Sequence, residues 1–245
     1  MFTPEGPTLR ELAVQALSSI ERGYDLLAPK FDLTPYRTPD RVLDAVTREL
    51  RPLGPFGTGL DVCCGTGAGV SVLRRVCGER VTGVDFSAGM LAAGRSALAR
   101  EDRSGTGPAV DWVRADALAL PFAPAFDVAL SLGAFGHFLP KERPALFAQV
   151  YASLRPGGRF VFPIGAPPAV GSKTYWTLLG FDLAMRVRNA LWRPTFVMYY
   201  RTFPLPDVLD DLVGAGFTVR LVPLTDLGTR PDGSPRARLV VATRK

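Results

Sequence analysis

The stretch that decides the fold is Leu60-Asp61-Val62-Cys63-Cys64-Gly65-Thr66-Gly67-Ala68-Gly69. A short apolar strand pattern runs here into a glycine-rich turn and then a helical pattern, an arrangement that lets backbone approach a nucleotide-like ligand. The dinucleotide fingerprint G-x-G-x-x-G fails, because the sixth position counted from Gly65 is Val70. Asp61 stands where such sites carry an apolar residue, and its carboxylate would repel phosphate but suit an ammonium group. The turn therefore disfavours a bound pyrophosphate and a nicotinamide-dependent dehydrogenase.

Two further carboxylates follow at the ends of the next two predicted strands. Asp85 comes twenty residues after Gly65, a spacing at which a carboxylate can accept hydrogen bonds from both ribose hydroxyls. Asp116 closes the strand after that. Each acid alone could be a solvated strand-end or helix-capping residue. Because parallel strands end at one edge of a sheet, these two acids and Asp61 together with the glycine turn predict a nucleoside site.

Strand and helix patterns alternate outward from this turn. Apolar runs predict strands at residues 59–63, 81–84, 110–113, 126–130 and 160–164. Helical patterns separate them at residues 69–77, 88–100 and 144–154. The chain closes with a helix near 207–213 and β-rich runs at 217–222 and 238–243, joined by turn residues around Pro231-Asp232-Gly233. This order predicts an α/β fold, a doubly wound Rossmann-like seven-stranded sheet with a C-terminal β-hairpin.

Helical segments precede and interrupt this sheet. A capping-box pair, Thr8 and Glu11, begins an amphipathic pattern that continues to Ile20, and a second helix pattern follows Thr38-Pro39. We expect residues 1–50 to form an N-terminal helical lid, and residues 51–245 to form the main domain. A stretch rich in Pro, Gly and aromatic residues, about 166–204, is expected to be an inserted helical cap.

The cap contains a helical pattern at residues 174–192 with two apolar stripes. The first consists of Trp176, Leu179, Leu183, Val187 and Ala190. The second, nearly opposite, consists of Leu178, Phe181, Met185 and Trp192. Two apolar faces need two partners. We expect one face to pack on the domain and the other to roof an acceptor pocket or to form a homodimer contact.

Composition excludes several classes of function. The formal net charge is +6, but the arginines are scattered singly or in pairs, so no nucleic-acid partner is expected. The longest uncharged stretch in the second half, residues 160–172, is too short and too rich in proline to span a bilayer. Three cysteines and an N-terminus without signal-peptide character favour a cytoplasmic location. With one histidine, no metal site is expected.

Several motifs resemble the class I S-adenosylmethionine-dependent methyltransferases. They are the stretch 60–67, Gly83-Val84-Asp85-Phe86-Ser87-Ala88-Gly89-Met90-Leu91, Asp116-Ala117 before Leu120-Pro121-Phe122, Phe126-Asp127-Val128 and Leu154-Arg155-Pro156-Gly157-Gly158-Arg159. The resemblance spans about residues 55–165 and is greatest to the small-molecule group that includes quinone-biosynthesis enzymes. Tyr24-Asp25 and Phe31-Asp32 resemble the N-terminal lid of that group. S-Adenosylmethionine is the cofactor that the resemblance implies.

The resemblance also implies which residues would hold the cofactor. Those near its methionine part and its ribose are Asp61, Cys63, Gly65, Thr66, Gly67 and Asp85. Those near adenine are Phe86, Met90, Asp116 and Ala117, while Ser131 and Leu132 close the cleft and Tyr24 lies over the cofactor. Two positions depart from the family pattern. Cys63 stands where the family often has its first motif glycine, and Phe135-Gly136-His137 replaces a frequent Leu-His-His.

The leading hypothesis is a methyltransferase that acts on an apolar or aromatic small molecule at oxygen, carbon or nitrogen. Transfer from a sulfonium is an in-line SN2 displacement, which needs a base only when the acceptor is a hydroxyl or an acidic carbon. His137 is the candidate base, and a structural, hydrogen-bonded histidine is its alternative. Cap residues that could wall the acceptor, or merely pack the cap, are Tyr175, Trp176, Tyr199, Tyr200 and Arg201. A catalytically inactive adenosyl-binding module, acting as a partner or regulator, is the alternative function.

Overall fold

The computed structural model describes residues 5–102 and 105–245, in which one seven-stranded sheet carries helices on both faces. Its strands are β1 (Phe56–Val62), β2 (Cys77–Asp85), β3 (Ala109–Arg114), β4 (Phe126–Leu130), β5 (Leu154–Gly165), β6 (Phe217–Pro223) and β7 (Ala237–Arg244). Its helices are α1 (Leu9–Leu17), α2 (Ile20–Leu27), α3 (Asp40–Leu50), α4 (Ala68–Leu73), α5 (Ala88–Glu101), α6 (Arg143–Ser153), α7 (Lys173–Leu191) and α8 (Leu205–Gly214).

The strand order is β3-β2-β1-β4-β5-β7-β6, with β1 to β5 parallel and β7 antiparallel to both of its neighbours. This confirms the predicted doubly wound sheet and its C-terminal hairpin. Strand residues alternate between two buried clusters, because successive side chains of a strand point to opposite faces. Phe160 and Phe162 pack with α6 and α8, while Val161 between them packs with α3 and α4. The strand order reverses between β1 and β4, and the cleft that such a reversal opens lies beyond their carboxyl ends.

The N-terminal region differs from the sequence prediction in two ways. The amphipathic pattern does not form one helix up to Ile20, because the Ser19 side chain accepts a hydrogen bond from the Arg22 N–H and begins α2. Helix α3 does not belong to the lid, since Leu43, Val46 and Leu50 are buried in the core with β1 and β2. The segment that reaches over the cleft is therefore α2 and the turns before α3, and together with α1, which packs on α2, we call it the lid. Residues 1–4 of the predicted lid lie outside the described residues.

The cap forms as one long helix, α7, followed by an irregular segment, residues 192–204. The stripe that contains Leu178, Phe181 and Met185 is half-buried against this segment and the domain. The opposite stripe, with Trp176 and Leu183 at its centre, faces solvent. Trp192 is not part of the inner stripe, because the helix ends before it in extended backbone.

Candidate active site

A cavity of about 920 Å³ lies at the carboxyl ends of β1, β2, β3 and β4. Residues after these strands form its floor, the lid covers it, and residues 197, 198 and 200 of the segment after α7 complete its wall. Of the residues predicted to bind the cofactor, its lining includes Tyr24, Cys63, Gly65, Thr66, Asp85, Phe86, Met90, Asp116, Ala117 and Leu132. The fold therefore brings together positions that are up to 108 residues apart in the sequence, from Tyr24 to Leu132.

The glycine turn after β1 exposes backbone to this cavity. Its Cys64 N–H donates to the Val84 carbonyl at 2.9 Å, and its Gly67 N–H donates to the Cys64 carbonyl at 2.8 Å. Gly65 has a φ of +51°, and a Cβ built there would meet nothing within 4 Å. Gly67 does not line the cavity, since a Cβ built at Gly67 would lie 2.8 Å from the Trp112 ring. The first glycine opens the turn toward a ligand, and the second allows it to pack on the sheet.

Cys63 holds the backbone conformation that glycine prefers. Its φ is +58°, and among the described residues it is the only residue other than glycine with a positive φ. A Cβ in the left-handed region costs roughly 1–2 kcal/mol. The departure from the family glycine is therefore a strained position on the cavity wall. Burial raises the pKa of the Cys63 thiol well above its usual value, with nearby Asp85 adding to the effect, so the thiol is not a reactive nucleophile.

Asp85 is fixed by backbone donors at the end of β2. Its Oδ2 accepts from the Gly65 N–H at 2.9 Å, and its Oδ1 accepts from the Ser87 N–H at 2.9 Å. Burial raises the pKa of this carboxyl, and the same backbone hydrogen bonds oppose the rise. A carboxylate has about four lone-pair sites, so Asp85 retains acceptor capacity toward the cavity. Asp116 is exposed and is held by the Leu118 N–H, which donates to its Oδ1 at 2.9 Å.

Asp61 and Ser131 lie behind the cavity wall rather than on it. The Asp61 carboxylate is buried beneath the turn, where a Cβ at Gly69 would lie 2.4 Å from its Oδ1. Its Oδ2 is buried without a hydrogen-bond partner. Burial raises the pKa of this carboxyl well above its usual value, against a backbone hydrogen bond from Val70. The buried Ser131 hydroxyl donates to the Val62 carbonyl at 2.9 Å and thereby joins β4 to β1.

Carboxylates of the lid hold it over the floor. Asp25 Oδ1 accepts from the Ser87 hydroxyl at 2.6 Å and from the Gly89 N–H at 2.8 Å, at the start of α5. The Thr66 hydroxyl of the glycine turn donates to Asp32 Oδ1 at 2.7 Å. An ion pair between Glu21 and Arg114 adds a third connection, to the end of β3. Asp25 and Asp32, the acidic residues of the two lid motifs, thus bind the lid to the domain, a role that the sequence did not predict.

A part-buried hydrogen-bonded pair, Tyr24 and His137, joins the lid to the residues after β4. The Tyr24 hydroxyl lies 2.7 Å from Nε2 of His137, and Nδ1 of His137 lies 2.7 Å from the Val197 carbonyl. A carbonyl can only accept, so Nδ1 carries the proton, and Nε2 of the neutral ring accepts from the tyrosine. Burial lowers the pKa of His137, with the Val197 hydrogen bond opposing it, and burial raises the pKa of Tyr24 above its usual value. Both groups are therefore neutral at pH 7.

The segment after α7 packs on an unusual glycine. The Tyr199 N–H donates to the Gly136 carbonyl at 2.8 Å, and a Cβ at Gly136 would lie 2.9 Å from the Tyr199 carbonyl oxygen. Asn189 holds the same segment, since its Nδ2 donates to the Phe196 carbonyl at 3.0 Å and its Oδ1 accepts from the Phe196 N–H at 2.8 Å. The family pattern has a residue with a side chain at this position. Here the Tyr199 backbone occupies the space that such a side chain would need, so glycine fits.

One of the five predicted acceptor residues lines the cavity, and it is Tyr200. Trp176 is 60% exposed on the outer side of α7. The Tyr175 ring packs edge-on against the Trp176 ring, and the Arg201 guanidinium lies 5.0 Å from the centre of the Tyr175 ring. Tyr199 is buried with its hydroxyl accepting from Asn189. No residue of α7 lines this cavity, and the segment after the helix supplies the wall where a roof from α7 was one expectation; the alternative expectation of a homodimer contact stays a prediction. Apolar lining residues that the sequence analysis missed are Phe31, Pro35, Ala134, Phe138, Val197 and Met198.

Residues 5–102 and 105–245 were compared with the requirements of a metal-binding cluster and of a membrane-spanning helix. No group of three or more His, Cys, Asp or Glu side chains there could hold a metal ion. None of the helices in this part of the chain has the length and apolarity needed to cross a bilayer.

Comparison with known proteins relates the chain to enzymes. A family model described as "Methyltransferase domain" matches residues 60–158. A demethylmenaquinone methyltransferase from Thermus thermophilus is 33% identical over 175 residues, which cover 68% of this chain and 76% of that protein. A 2-phytyl-1,4-naphtoquinone methyltransferase from Thermosynechococcus vestitus is 38% identical over 104 residues, 42% of this chain and 43% of that protein. This chain therefore spans less than half the length of the second relative.

A solved structure supports the fold over most of the chain. Magnesium protoporphyrin IX methyltransferase from Synechocystis PCC 6803, crystallised with bound S-adenosylhomocysteine, aligns with a TM-score of 0.58 at 18% identity. The alignment covers 84% of this chain and 82% of that one. At this identity the likeness shows a shared fold and nothing about the acceptor.

Proposed function

Because this chain belongs to the class I S-adenosylmethionine-dependent methyltransferases, we propose that it methylates an apolar aromatic small molecule in the cavity under its lid. The observation that carries the proposal is the Tyr24 to His137 hydrogen bond of 2.7 Å, because both residues line the same cavity as the glycine turn and Asp85. Methylation of an acidic acceptor requires a nucleoside-binding surface and a proton-accepting group in the same cavity.

The residues of the floor fit S-adenosylmethionine. Gly65 leaves room for close approach, and Asp85 has remaining acceptor sites for two ribose hydroxyls. The unpartnered Oδ2 of Asp61 suits an ammonium group that acts through a water molecule beneath the turn. Phe86 and Met90 would flank adenine, with Asp116 at its edge. When bound, the cofactor supplies a methyl group on a positively charged sulfur.

The Tyr24 and His137 pair would move the acceptor proton. The Tyr24 oxygen donates its own proton to Nε2 of His137, so its lone pairs are free to accept from a hydroxyl or acidic C–H of the acceptor. As that proton reaches Tyr24, the tyrosine proton passes to Nε2, and the imidazolium that forms keeps its Nδ1–H on the Val197 carbonyl. Burial disfavours a free phenolate at Tyr24, so the two transfers are coupled. The proton finally leaves His137 to water.

The acceptor is proposed to be aromatic and apolar. Phe31, Phe138, Val197, Met198 and Tyr200 line the cavity. The two named relatives act, by their names, on demethylmenaquinone and on 2-phytyl-1,4-naphtoquinone. We extend this substrate class to the present chain as a reduced quinone, whose electron-rich ring carbons and hydroxyls are nucleophilic. The family relation also favours turnover over the alternative of a binding-only module.

The test measures cofactor binding and turnover separately. Calorimetry gives the affinity for S-adenosylmethionine, and radiolabelled methyl transfer onto borohydride-reduced 2-phytyl-1,4-naphthoquinone gives turnover. We expect Tyr24→Phe and His137→Asn to lose about 10²–10⁴-fold in kcat while they retain the cofactor affinity of the wild type. Tyr151→Phe is the matched control, since Tyr151 packs on Phe217 away from the cavity and should keep both activities.

Two outcomes would contradict the proposal. If the wild type fails to bind S-adenosylmethionine at millimolar concentration, the function is wrong. If Tyr24→Phe methylates at the wild-type rate, the acceptor proton takes another path, and the pair is a structural connection between the lid and the domain.

A further inference from the structure

Helix α7 presents an apolar stripe to solvent. Four of its residues fall within roughly an 80° arc at 3.6 residues per turn. They are Trp176, Leu183, Val187 and Leu191, with exposures of 60%, 61%, 50% and 81%. We call them the outer stripe. It extends over about 22 Å at 1.5 Å per residue. Single exposed apolar residues are ordinary on a protein surface, but a contiguous stripe marks an interaction surface.

The opposite face of α7 is already occupied by the domain. Asp182 is buried and accepts from the Tyr200 N–H at 2.8 Å, and the Phe181 ring lies 5.1 Å from the Tyr200 ring. Asn189 on this face holds the segment that follows the helix. The helix therefore cannot rotate to bury its outer stripe without breaking these contacts. The stripe must be covered by something outside the described chain, or remain in water.

The charges beside the stripe are of one sign. The exposed charged side chains of the helix and the residues just after it are Lys173, Arg193 and Arg186, whose guanidinium also lies 4.8 Å from the Tyr199 ring. The sole acid of α7, Asp182, is buried on the inner face. A second copy of the chain on this stripe would bring basic groups against basic groups, which opposes association. An anionic surface would instead be attracted.

We propose that α7 docks on the surface of an anionic phospholipid bilayer, lying in the membrane plane with the outer stripe among the lipid headgroups and upper acyl chains. An interfacial helix combines Trp and Leu on one side with Lys and Arg beside them, and it does not span the bilayer. Each cation near an anionic surface adds to the attraction. This inference goes beyond methyl transfer and does not depend on it.

Docking would bring the cavity close to the membrane. The Arg188 guanidinium donates to the Ser18 carbonyl between α1 and α2 at 3.3 Å, so α7 is connected to the lid. Helix α1 itself has no buried residue and exposes Leu9 and Leu17. The lid and the segment after α7 both line the cavity, and an apolar acceptor could therefore enter from the lipid side without crossing water.

The experiment measures partition of the full chain onto vesicles by flotation. The vesicles contain phosphatidylcholine alone, or phosphatidylcholine with about one third phosphatidylglycerol. We expect at least tenfold stronger partition onto the anionic vesicles, weakened by salt because the charges are exposed. Val187→Glu should reduce this partition tenfold or more. Val213→Glu is the matched control, since Val213 is a valine on α8 that is 61% exposed, and it should partition like the wild type.

The basic residues are tested separately. The double substitution Lys173→Gln with Arg186→Gln should lose about fivefold per charge on anionic vesicles, and Arg220→Gln, an exposed arginine on β6, should lose much less. Circular dichroism and calorimetric binding of S-adenosylmethionine confirm that each variant is folded. Equal partition of the wild type and Val187→Glu would overturn the proposal. So would absence of vesicle binding together with a dimer in sedimentation that Val187→Glu dissociates.

Discussion

Because the backbone at Cys63 is strained, we predict that glycine at this position stabilises the fold relative to alanine, which is the opposite of its usual effect. Replacing alanine by glycine normally destabilises a folded chain by roughly 0.5–1 kcal/mol, because glycine loses more conformational freedom on folding. At a φ of +58° a Cβ costs roughly 1–2 kcal/mol, and glycine removes that cost. The Cys63→Gly variant should therefore be more stable than the Cys63→Ala variant by about 0.5–1 kcal/mol, the difference between the two effects.

Comparison of Cys63→Ala with Cys63→Gly isolates this effect, since both variants lose the thiol. The adjacent Cys64 is the matched control, because it is a buried cysteine of the same turn without a positive φ. There Cys64→Gly should be less stable than Cys64→Ala by about 0.5–1 kcal/mol. The free energy of unfolding is measured in urea at pH 7, where a change in midpoint at constant slope reports stability. In a chain of this size the expected rise in melting temperature is about 1–4 °C.

A Cys63→Gly variant that is equal to or less stable than the Cys63→Ala variant would refute the reasoning. The left-handed conformation of residue 63 would then contribute no strain. A slope that differs between the two variants would instead show that the substitution changed how much surface unfolding exposes.

Three further predictions concern the packing and the pH response of the domain. Arg143→Met should destabilise the fold by about 1–3 kcal/mol in urea, because the buried Thr202 carbonyl and the part-buried Asp211 carboxylate lose their donor, and a loss below about 0.5 kcal/mol would show that these hydrogen bonds are dispensable. Gly89→Ala should displace the lid, since its Cβ would lie 2.9 Å from Asp25 Cα, and should increase proteolysis of the lid and weaken cofactor binding tenfold or more. Gly180→Ala, whose Cβ meets nothing within 4 Å, should change neither. Burial lowers the pKa of His137 from its usual value of 6.5. Below that pH the unfolded chain binds a proton that the folded chain does not bind, so the free energy of unfolding falls as pH falls. His137→Gln should flatten this part of the plot of stability against pH, and an unchanged slope would show that another group titrates.

The sequence determined the sheet and the family. Alternating apolar runs and helical patterns predicted all seven strands, because the periods of strand and helix differ and do not depend on distant residues. The glycine turn and the acids at strand ends indicated the nucleoside site for the same reason, since parallel strands end at one edge. The boundary between α1 and α2 was missed, because the capping function of Ser19 is hidden in a continuous amphipathic pattern.

Tertiary structure decided the partners of each functional group. No spacing rule relates Tyr24 to His137, 113 residues away, and their hydrogen bond exists because the lid folds back over the end of β4. Likewise, periodicity gave α7 two apolar stripes without saying which one is buried. The inner stripe is the buried one because Asp182 and Asn189 on that side bind backbone groups of the following segment. Those polar groups would be costly to bury without partners. The outer stripe is left to solvent, or to a membrane.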